Sequence, residues 1–228
     1  MIINWGQIDT VLLDMDGTLL DLHFDNYFWQ EYLPLRYAEI NLLDPAQAKQ
    51  SINHQTRSIV GTLEWYSTDY WSEILGVDVV ELKQEIAHKV AIRPHCEEFL
   101  DALQQAGKEV VMVTNAHHDS LKLKMEKTGI DKKIDRLVTV HEFSLPKENP
   151  DCWFEVHKRY PFDNKKTLLI DDNLKALQSA LDFGIEQVLA IHQPDSKAPA
   201  MDVMHFLAIH SFQEIMPVRK SSVRDISP

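Results

Sequence analysis

The sequence predicts an α/β fold, in which a Rossmann-like parallel sheet core carries helices on both faces and receives an inserted all-helical cap subdomain. From residue 92 onward, short apolar segments typical of strands alternate with amphipathic segments at helical spacing. Such alternation is typical of parallel strands joined by covering helices. Residues 21–91 interrupt it directly after the first strand. We therefore expect a core of 1–20 and 92–218, a helical cap of 21–91 and a flexible tail of 219–228.

The core strands are apolar, β-rich segments, and amphipathic segments lie between them. The predicted strands are DTVLLDMD, EVVMVTNA, DRLVTV, TLLIDD and EQVLAI. Gly107, Gly129 and Gly184 follow amphipathic segments, where glycine commonly stops a helix. Asn149 and Pro150 are typical of an N-cap and a first helical residue, so they predict another helix through Tyr160.

The predicted cap is rich in aromatic and polar residues and contains no convincing buried strand. Asp44 before Pro45 predicts one of its helix starts. Its aromatic side chains either pack the cap helices or stack on a purine, and packing is the commoner role for any one of them. These residues are Phe24, Tyr27, Phe28, Trp29, Trp65, Tyr66, Tyr70 and Trp71.

The composition limits the partners of the chain. Its 228 residues are 44% hydrophobic and 25% charged, which is ordinary for a globular protein. A net charge of −12 argues against binding to a nucleic-acid polymer. The chain has no apolar stretch of membrane-spanning length, no secretion-signal pattern, no disulfide framework and no zinc motif. We expect a cytoplasmic monomer or homodimer without a membrane partner.

Acidic residues follow two of the predicted strands at their carboxyl ends. Asp14 and Asp16 follow the first strand, and Asp171 and Asp172 end the fourth. Ligands of parallel α/β sheets bind at this edge. A single aspartate there is more often a helix cap, but two buried acidic pairs would repel each other without a cation. An all-oxygen set of ligands favours Mg²⁺.

Thr114, Asn115 and Lys147 complete this edge as candidate phosphate-binding residues. Taken singly, Thr114 is as well suited to capping the next helix, and a lone lysine is usually solvated. Beside a cation, however, Lys147 and Thr114 can hold phosphoryl oxygens. Asp14 then attacks phosphorus as the nucleophile, while Asp16 protonates the leaving oxygen and later activates water.

Four motifs of the haloacid dehalogenase-like (HAD) hydrolases occur here in the same order and approximate spacing, and the chain resembles that family. The matching segments are DMDGTLL, VTNA, the isolated Lys147 and LIDDN. The resemblance implies obligatory Mg²⁺ and a covalent intermediate on Asp14. It also implies that Asp16 binds the metal through its backbone carbonyl, that Asp172 binds it directly, and that Asp171 acts directly or through water.

Further segments are similar to bacterial GMP/IMP nucleotidases, namely LLDMDGTLLDLHFDNYFW, LEWYSTDYWSE, VTNAHHDSL and LLIDDN. This resemblance implies a small-molecule phosphate ester as substrate, specifically a purine nucleoside 5′-monophosphate, beneath a closing helical cap. Asp25, Asn26 and His117 are candidates for substrate specificity. For His117, a helix start or a surface position is the commoner role.

Other functions remain open. A sugar-phosphate phosphatase or a phosphomutase would use the same core residues on another substrate or acceptor. A dehalogenase also uses an aspartate nucleophile, but it needs neither the acid Asp16 nor a metal. A non-catalytic binding protein is disfavoured, because Asp14, Asp16, Lys147 and Asp172 are all present.

Overall fold

A parallel six-stranded sheet is the centre of the computed structural model, which describes residues 3–218. The strand order is β3-β2-β1-β4-β5-β6. The strands are β1 (Thr10–Leu13), β2 (Glu109–Thr114), β3 (Arg136–Thr139), β4 (Thr167–Asp171), β5 (Gln187–Ile191) and β6 (Ala208–Ile209). The predicted Rossmann-like core is confirmed, while the tail predicted at 219–228 lies outside the described residues.

Helices separate the consecutive core strands from β1 to β5, as the sequence predicts. They are α7 (Cys96–Gln105), α8 (His118–Thr128), α9 (Pro150–Arg159) and α10 (Leu174–Phe183). The side chain of Asn149 accepts a hydrogen bond from the Asp151 amide and so caps α9. Gly129 ends α8 with a φ of 66°, a backbone conformation that glycine adopts without strain.

Side chains of successive strand residues alternate between two hydrophobic clusters, one on each face of the sheet. Leu13 of β1 joins the cluster that contains Phe99 of α7. Its neighbour Leu12 joins the opposite cluster, with Trp153 of α9 and Leu177 of α10. Helices therefore cover both faces, which explains why the strands are apolar throughout rather than alternating with polar residues.

Residues 23–89, here called the helical segment, contain helices and no strand. They form α1 (His23–Tyr27), a π-helical turn (Phe28–Tyr32), α2 (Leu33–Asn41), α3 (Pro45–Thr56), α4 (Leu63–Tyr66), α5 (Thr68–Leu75), α6 (Val79–Glu85) and a 3₁₀ turn (Ala87–Lys89). The side chain of Asp44 caps α3 as predicted. Buried Phe24, Phe28 and Trp71 belong to a third cluster, which Leu123 of α8 joins from the core.

Strand β6 was not predicted from the sequence. It has two residues, Ala208 and Ile209, and pairs with the end of β5. Two residues are too few to produce a recognisable apolar run or alternation. Cys96 and Cys152 are both free and buried, and none of the described helices has the length and apolar character to cross a membrane.

Candidate active site

The site lies where the order of the strands changes direction. From β1 the chain proceeds outward to β2 and β3, and it then crosses back to place β4 on the other side of β1. Leu13 pairs with Ile170 in the sheet, so the next residues, Asp14 and Asp171, emerge side by side. The crevice at such a switch point is the usual ligand site of open parallel sheets.

Lys147 bridges these two carboxylates. Its Nζ lies 2.5 Å from Asp14 Oδ1 and 2.6 Å from Asp171 Oδ2, and its side chain is 2% exposed. The two carboxylates hold the pKa of Lys147 above its usual range despite burial, so the ammonium stays charged. The backbone is anchored as well, because the Trp153 indole and the Ser179 hydroxyl both donate to the Lys147 carbonyl.

Three carboxylates, here called the acidic cluster, meet beside this lysine: Asp14, Asp171 and Asp172. One oxygen of each lies within 4.8 Å of the others. Burial raises the pKa of Asp14 to about 6, and burial together with Asp14 and Asp171 raises the pKa of Asp172 well above its usual range. Buried Asp14 Oδ2 has no hydrogen-bond partner within residues 3–218. An all-oxygen set with one unpartnered buried oxygen fits a hard divalent cation such as Mg²⁺.

Gly17 is required by the close approach of Asp172. A Cβ atom at position 17 would lie 2.5 Å from Asp172 Oδ2, which no real side chain tolerates. The φ of Gly17 is +88°, a conformation that favours glycine. The glycine that follows Asp16 in the sequence therefore makes room for the carboxylate of the residue directly after β4.

Asp16 belongs to a second group of charges, the alternating chain, which consists of Asp16, Lys124, Asp25 and Lys83. Lys124 Nζ lies 2.7 Å from Asp16 Oδ1 and 2.6 Å from Asp25 Oδ2. Lys83 Nζ reaches the other oxygen of Asp25 at 2.9 Å. The alternating chain therefore connects Asp16 of the core, through Lys124 of α8, to Asp25 and Lys83 of the helical segment.

The two acids of the alternating chain have opposite pKa shifts. Burial raises the pKa of Asp16 to about 6, although Lys124 opposes that effect. Burial also acts on Asp25, but Lys124 and Lys83 together outweigh it and hold the pKa of Asp25 below its usual range. Asp25 is thus a permanent anion between two cations, whereas Asp16 is poised to exchange a proton near neutral pH.

Thr114 and Asn115 lie in the lining of the cavity, and both also organise the backbone around it. Thr114 Oγ1 accepts a hydrogen bond from the Ala116 amide at 3.0 Å. Asn115 Oδ1 accepts from the Lys147 amide at 3.0 Å. The residue at the N-cap position of α8 is His117 rather than Thr114. The alternative of a helix-capping Thr114 is therefore wrong.

Glu148 is a site residue that the sequence reasoning missed. Its carboxylate accepts hydrogen bonds from Asn115 Nδ2 at 3.0 Å, from Asn173 Nδ2 at 2.8 Å and from the Tyr66 hydroxyl at 2.9 Å. It therefore joins the ends of β2 and β4 to the helical segment. The only sequence signal was its position directly after Lys147.

The core and the helical segment enclose a cavity of about 600 Å³ above the acidic cluster, a volume suited to a small molecule. Asp25 and Asn26 both line it, and Asn26 donates to Asp195 at 2.8 Å. His117 is outside that lining and contacts Thr68 instead. Among the aromatic candidates, the cavity lining contains Trp29, Trp65 and Tyr66. By contrast, Phe24, Phe28 and Trp71 are fully buried packing residues.

This site and fold are those of a haloacid dehalogenase-like hydrolase. The model of that family matches residues 8–184, and the chain belongs to the family, which confirms the predicted membership. The chain is 38% identical over 215 residues to GMP/IMP nucleotidase YrfG of Escherichia coli (strain K12), a match that covers 94% of this chain and 97% of that relative. The narrower resemblance drawn from the sequence is confirmed as well.

More distant relatives have different chemistries on the same architecture. The chain is 24% identical to (S)-2-haloacid dehalogenase 2 of Pseudomonas sp. (strain CBS-3), with 79% of this chain and 82% of the relative covered. A crystal structure of an HAD phosphatase from Thermococcus onnurineus superposes with a TM-score of 0.75 at 18% identity, covering 91% and 96% of the two chains. At that identity the likeness shows the fold alone.

Proposed function

We propose that this protein is a Mg²⁺-dependent phosphomonoesterase that hydrolyses purine nucleoside 5′-monophosphates through a phosphorylated Asp14. The observation that carries the reaction class is the acidic cluster beside Lys147 at the switch point of the sheet. Two buried carboxylates and the half-buried Asp172, with one ammonium, leave an excess of negative charge. A divalent cation offsets that excess and lets a phosphate dianion approach.

Asp14, Asp171, Asp172 and the backbone carbonyl of Asp16 would hold the ion. The bound cation supplies charge neutralisation of the phosphoryl oxygens. Asp172 is the direct carboxylate ligand, and Asp171 acts directly or through water. The family implies the metal identity, and the oxygen-only donor set is consistent with it.

Asp14 supplies the nucleophile. A carboxylate oxygen of Asp14 forms a bond to phosphorus while the bond between phosphorus and the leaving oxygen breaks. Asp16 gives its proton to that oxygen, and its raised pKa of about 6 suits a group that donates a proton near neutrality. Water then attacks phosphorus, Asp16 takes the proton from water, and inorganic phosphate leaves with Asp14 restored.

Lys147 and the end of β2 orient the phosphoryl group. The Lys147 ammonium already lies 2.5 Å from Asp14, so it is placed to counter charge on the oxygens being transferred. Thr114 and Asn115 line the cavity beside it and offer a hydroxyl and an amide to the remaining oxygens. The buried anchoring of the Lys147 carbonyl keeps this geometry fixed.

The helical segment receives the leaving group. We retain the division into a core of 1–20 and 92–218 and a cap of 21–91, with the cap excluding water from the reacting phosphate. Trp29 and Trp65 offer flat faces for a purine, and Asp25 and Asn26 lie at the entry into the cap. The 38% identity to a GMP/IMP nucleotidase over nearly the whole chain supports nucleotides as substrates.

One activity screen tests the proposed nucleotide substrates against the alternatives. Phosphate release is measured from GMP, IMP, AMP and a set of sugar phosphates, with Mg²⁺ and with a chelator, and product isomers are assayed in parallel. Halide release is assayed separately with a 2-haloacid as the substrate. We expect Mg²⁺-dependent release that is greatest for GMP and IMP and is absent in Asp14→Asn. Glu73→Gln, an exposed change on α5, is the matched control and should retain activity.

The possible outcomes of this screen distinguish an error in the proposed substrate from an error in the proposed reaction class. Preference for sugar phosphates would overturn the nucleotide assignment and leave the phosphatase chemistry in place. Isomerised product without phosphate release would identify a phosphomutase. Halide release without phosphate release would identify a dehalogenase, which is disfavoured because such an enzyme needs neither the acid Asp16 nor the acidic cluster.

A further inference from the structure

A second group of metal-ligating side chains lies outside the cavity, where the helical segment meets the core. Asp69, His117 and Asp119, here called the triad, each bring one ligand atom within 4.8 Å of the others. Asp69 belongs to α5, whereas His117 and Asp119 lie at the start of α8. We propose that the triad binds a divalent transition-metal ion of the Zn²⁺ type and that this ion joins the helical segment to the core.

The contact between Thr68 and His117 is compatible with the tautomer that leaves Nε2 available to a metal ion. The Thr68 hydroxyl oxygen lies 2.7 Å from His117 Nδ1 and 3.4 Å from Asp119 Oδ2. With Nδ1–H donating to Thr68 and the Thr68 hydroxyl donating to Asp119, every donor has an acceptor. That arrangement leaves Nε2 with a free lone pair. Thr68 is 1% exposed, so it acts as the fixed partner that orients a metal-binding imidazole.

The lone pair of Nε2 faces a carboxylate. His117 Nε2 lies 3.6 Å from Asp69 Oδ2. In this tautomer both atoms are electron-rich, and they repel each other unless a metal ion or a proton lies between them. Ligands bound to zinc at about 2.0–2.2 Å in a tetrahedral arrangement are roughly 3.4 Å apart. The observed separation therefore fits two ligands of one ion.

Neighbouring imidazoles make the surroundings suited to a transition metal. The ring centres of His141 and His118 lie 5.0 Å and 5.7 Å from that of His117. Imidazole ligands favour zinc, nickel and copper, whereas an oxygen-only set favours magnesium.

The triad and the acidic cluster therefore differ in the type of metal ion that they favour and in how easily an ion reaches them from solvent. The acidic cluster lines the cavity and offers oxygen alone, whereas the Asp69 side chain is 78% exposed and gives an ion a route from solvent. The triad has no recognisable ligand spacing, because Asp69 is distant in sequence from His117. An ion held there would tie α5 to α8 and restrict movement of the helical segment.

Binding is tested by calorimetric titration of Zn²⁺ into the full chain that has been stripped of metal and then saturated with Mg²⁺, so that Mg²⁺ competes for the acidic cluster. We expect one Zn²⁺ per chain and a Zn²⁺-dependent rise in Tm. Asp69→Asn should weaken Zn²⁺ binding by about 100-fold and abolish the rise, because it removes a ligand. Glu73→Gln on α5 and Glu126→Gln on α8 are exposed matched controls that should bind as the wild type does.

A second variant, Asp119→Asn, should give the same loss, and the Tm of each variant without Zn²⁺ verifies that it folds. Zn²⁺ binding that Asp69→Asn and Asp119→Asn leave unchanged would assign the ion to another site and overturn the proposal. Absence of Zn²⁺ binding to the wild type would overturn it as well, leaving an ordinary hydrogen-bonded contact. The readout requires no turnover, so this result is independent of the proposed phosphatase activity.

Discussion

The acidic cluster and the alternating chain lie in the same cavity, but they balance their charges differently. In the acidic cluster, one ammonium, Lys147, serves three carboxylates. In the alternating chain, Lys124 and Lys83 serve two carboxylates, Asp16 and Asp25. The first arrangement is short of positive charge and is suited to a cation. The second is complete, so it orients the acid and joins the two parts of the protein.

Because the two groups differ in their ratio of ammonium to carboxylate groups, removal of one charged side chain should affect stability differently in each. A buried ion that loses its only partner is strongly destabilised, while a carboxylate with a second partner remains compensated. Loss of the single ammonium beside the acidic cluster should therefore lower activity and stability more than loss of one ammonium from the alternating chain.

Asp14→Asn should have the largest effect on activity. The amide cannot attack phosphorus, so we expect turnover to fall by about 10⁴-fold or more. Because the substitution also removes one of three repelling carboxylates, the folded state should survive. Steady-state phosphate release measures the first expectation and a thermal unfolding curve the second. Near wild-type turnover would contradict the assignment of the nucleophile.

Lys147→Met should lower both activity and stability. The change leaves Asp14 and Asp171 buried without their shared ammonium, at a cost of about 3–5 kcal/mol in the free energy of unfolding. Turnover should fall by roughly 10³-fold, because charge on the phosphoryl oxygens is no longer countered. Urea unfolding in the presence of a chelator gives the stability change. A loss below about 1 kcal/mol would show that the acidic cluster is not short of positive charge.

Lys83→Met is the matched substitution in the alternating chain and should have a smaller effect. Asp25 keeps Lys124 at 2.6 Å, so we expect a loss of about 1–2 kcal/mol in the free energy of unfolding. Since Lys83 lines the cavity on the side of the helical segment, KM should rise more than kcat falls. A stability loss equal to that of Lys147→Met would contradict the difference between the two groups.

Tyr66→Phe should have the smallest effect. It removes one hydrogen bond to Glu148, which retains Asn115 and Asn173, so the cost is about 1 kcal/mol. Activity should decline only a few-fold, through weaker contact between the helical segment and the core. Comparison with Tyr70→Phe, which lies on the same segment outside the cavity lining, isolates this contact. Equal activity of the two variants would show that the Tyr66 contact has no role in turnover.

The fold and the acidic cluster were predictable because their signals are local. An apolar run followed by Asp14, and another that ends in Asp171 and Asp172, place carboxylates at one edge of a parallel sheet. Strand β6, in contrast, is too short to be recognised from the sequence.

The alternating chain was not predictable, because it depends on pairings between distant segments. Lys124 appears in the sequence as one of several lysines on an amphipathic helix, and its pairing with Asp16 and Asp25 follows from the docking of the helical segment on α8. Glu148 and the triad depend on the same docking. Side chains that join two parts of a protein leave no spacing pattern in the sequence.

The covalent role of Asp14 is the central claim, and chemical trapping tests it most directly. Sodium borohydride reduces an acyl phosphate to an alcohol, so reduction during turnover of GMP with Mg²⁺ should convert residue 14 to homoserine, seen by mass spectrometry of the peptide containing Val11–Leu20. We expect this conversion in the wild type and its absence without substrate. An unmodified Asp14 under continuing turnover, or homoserine at position 16 instead, would contradict it.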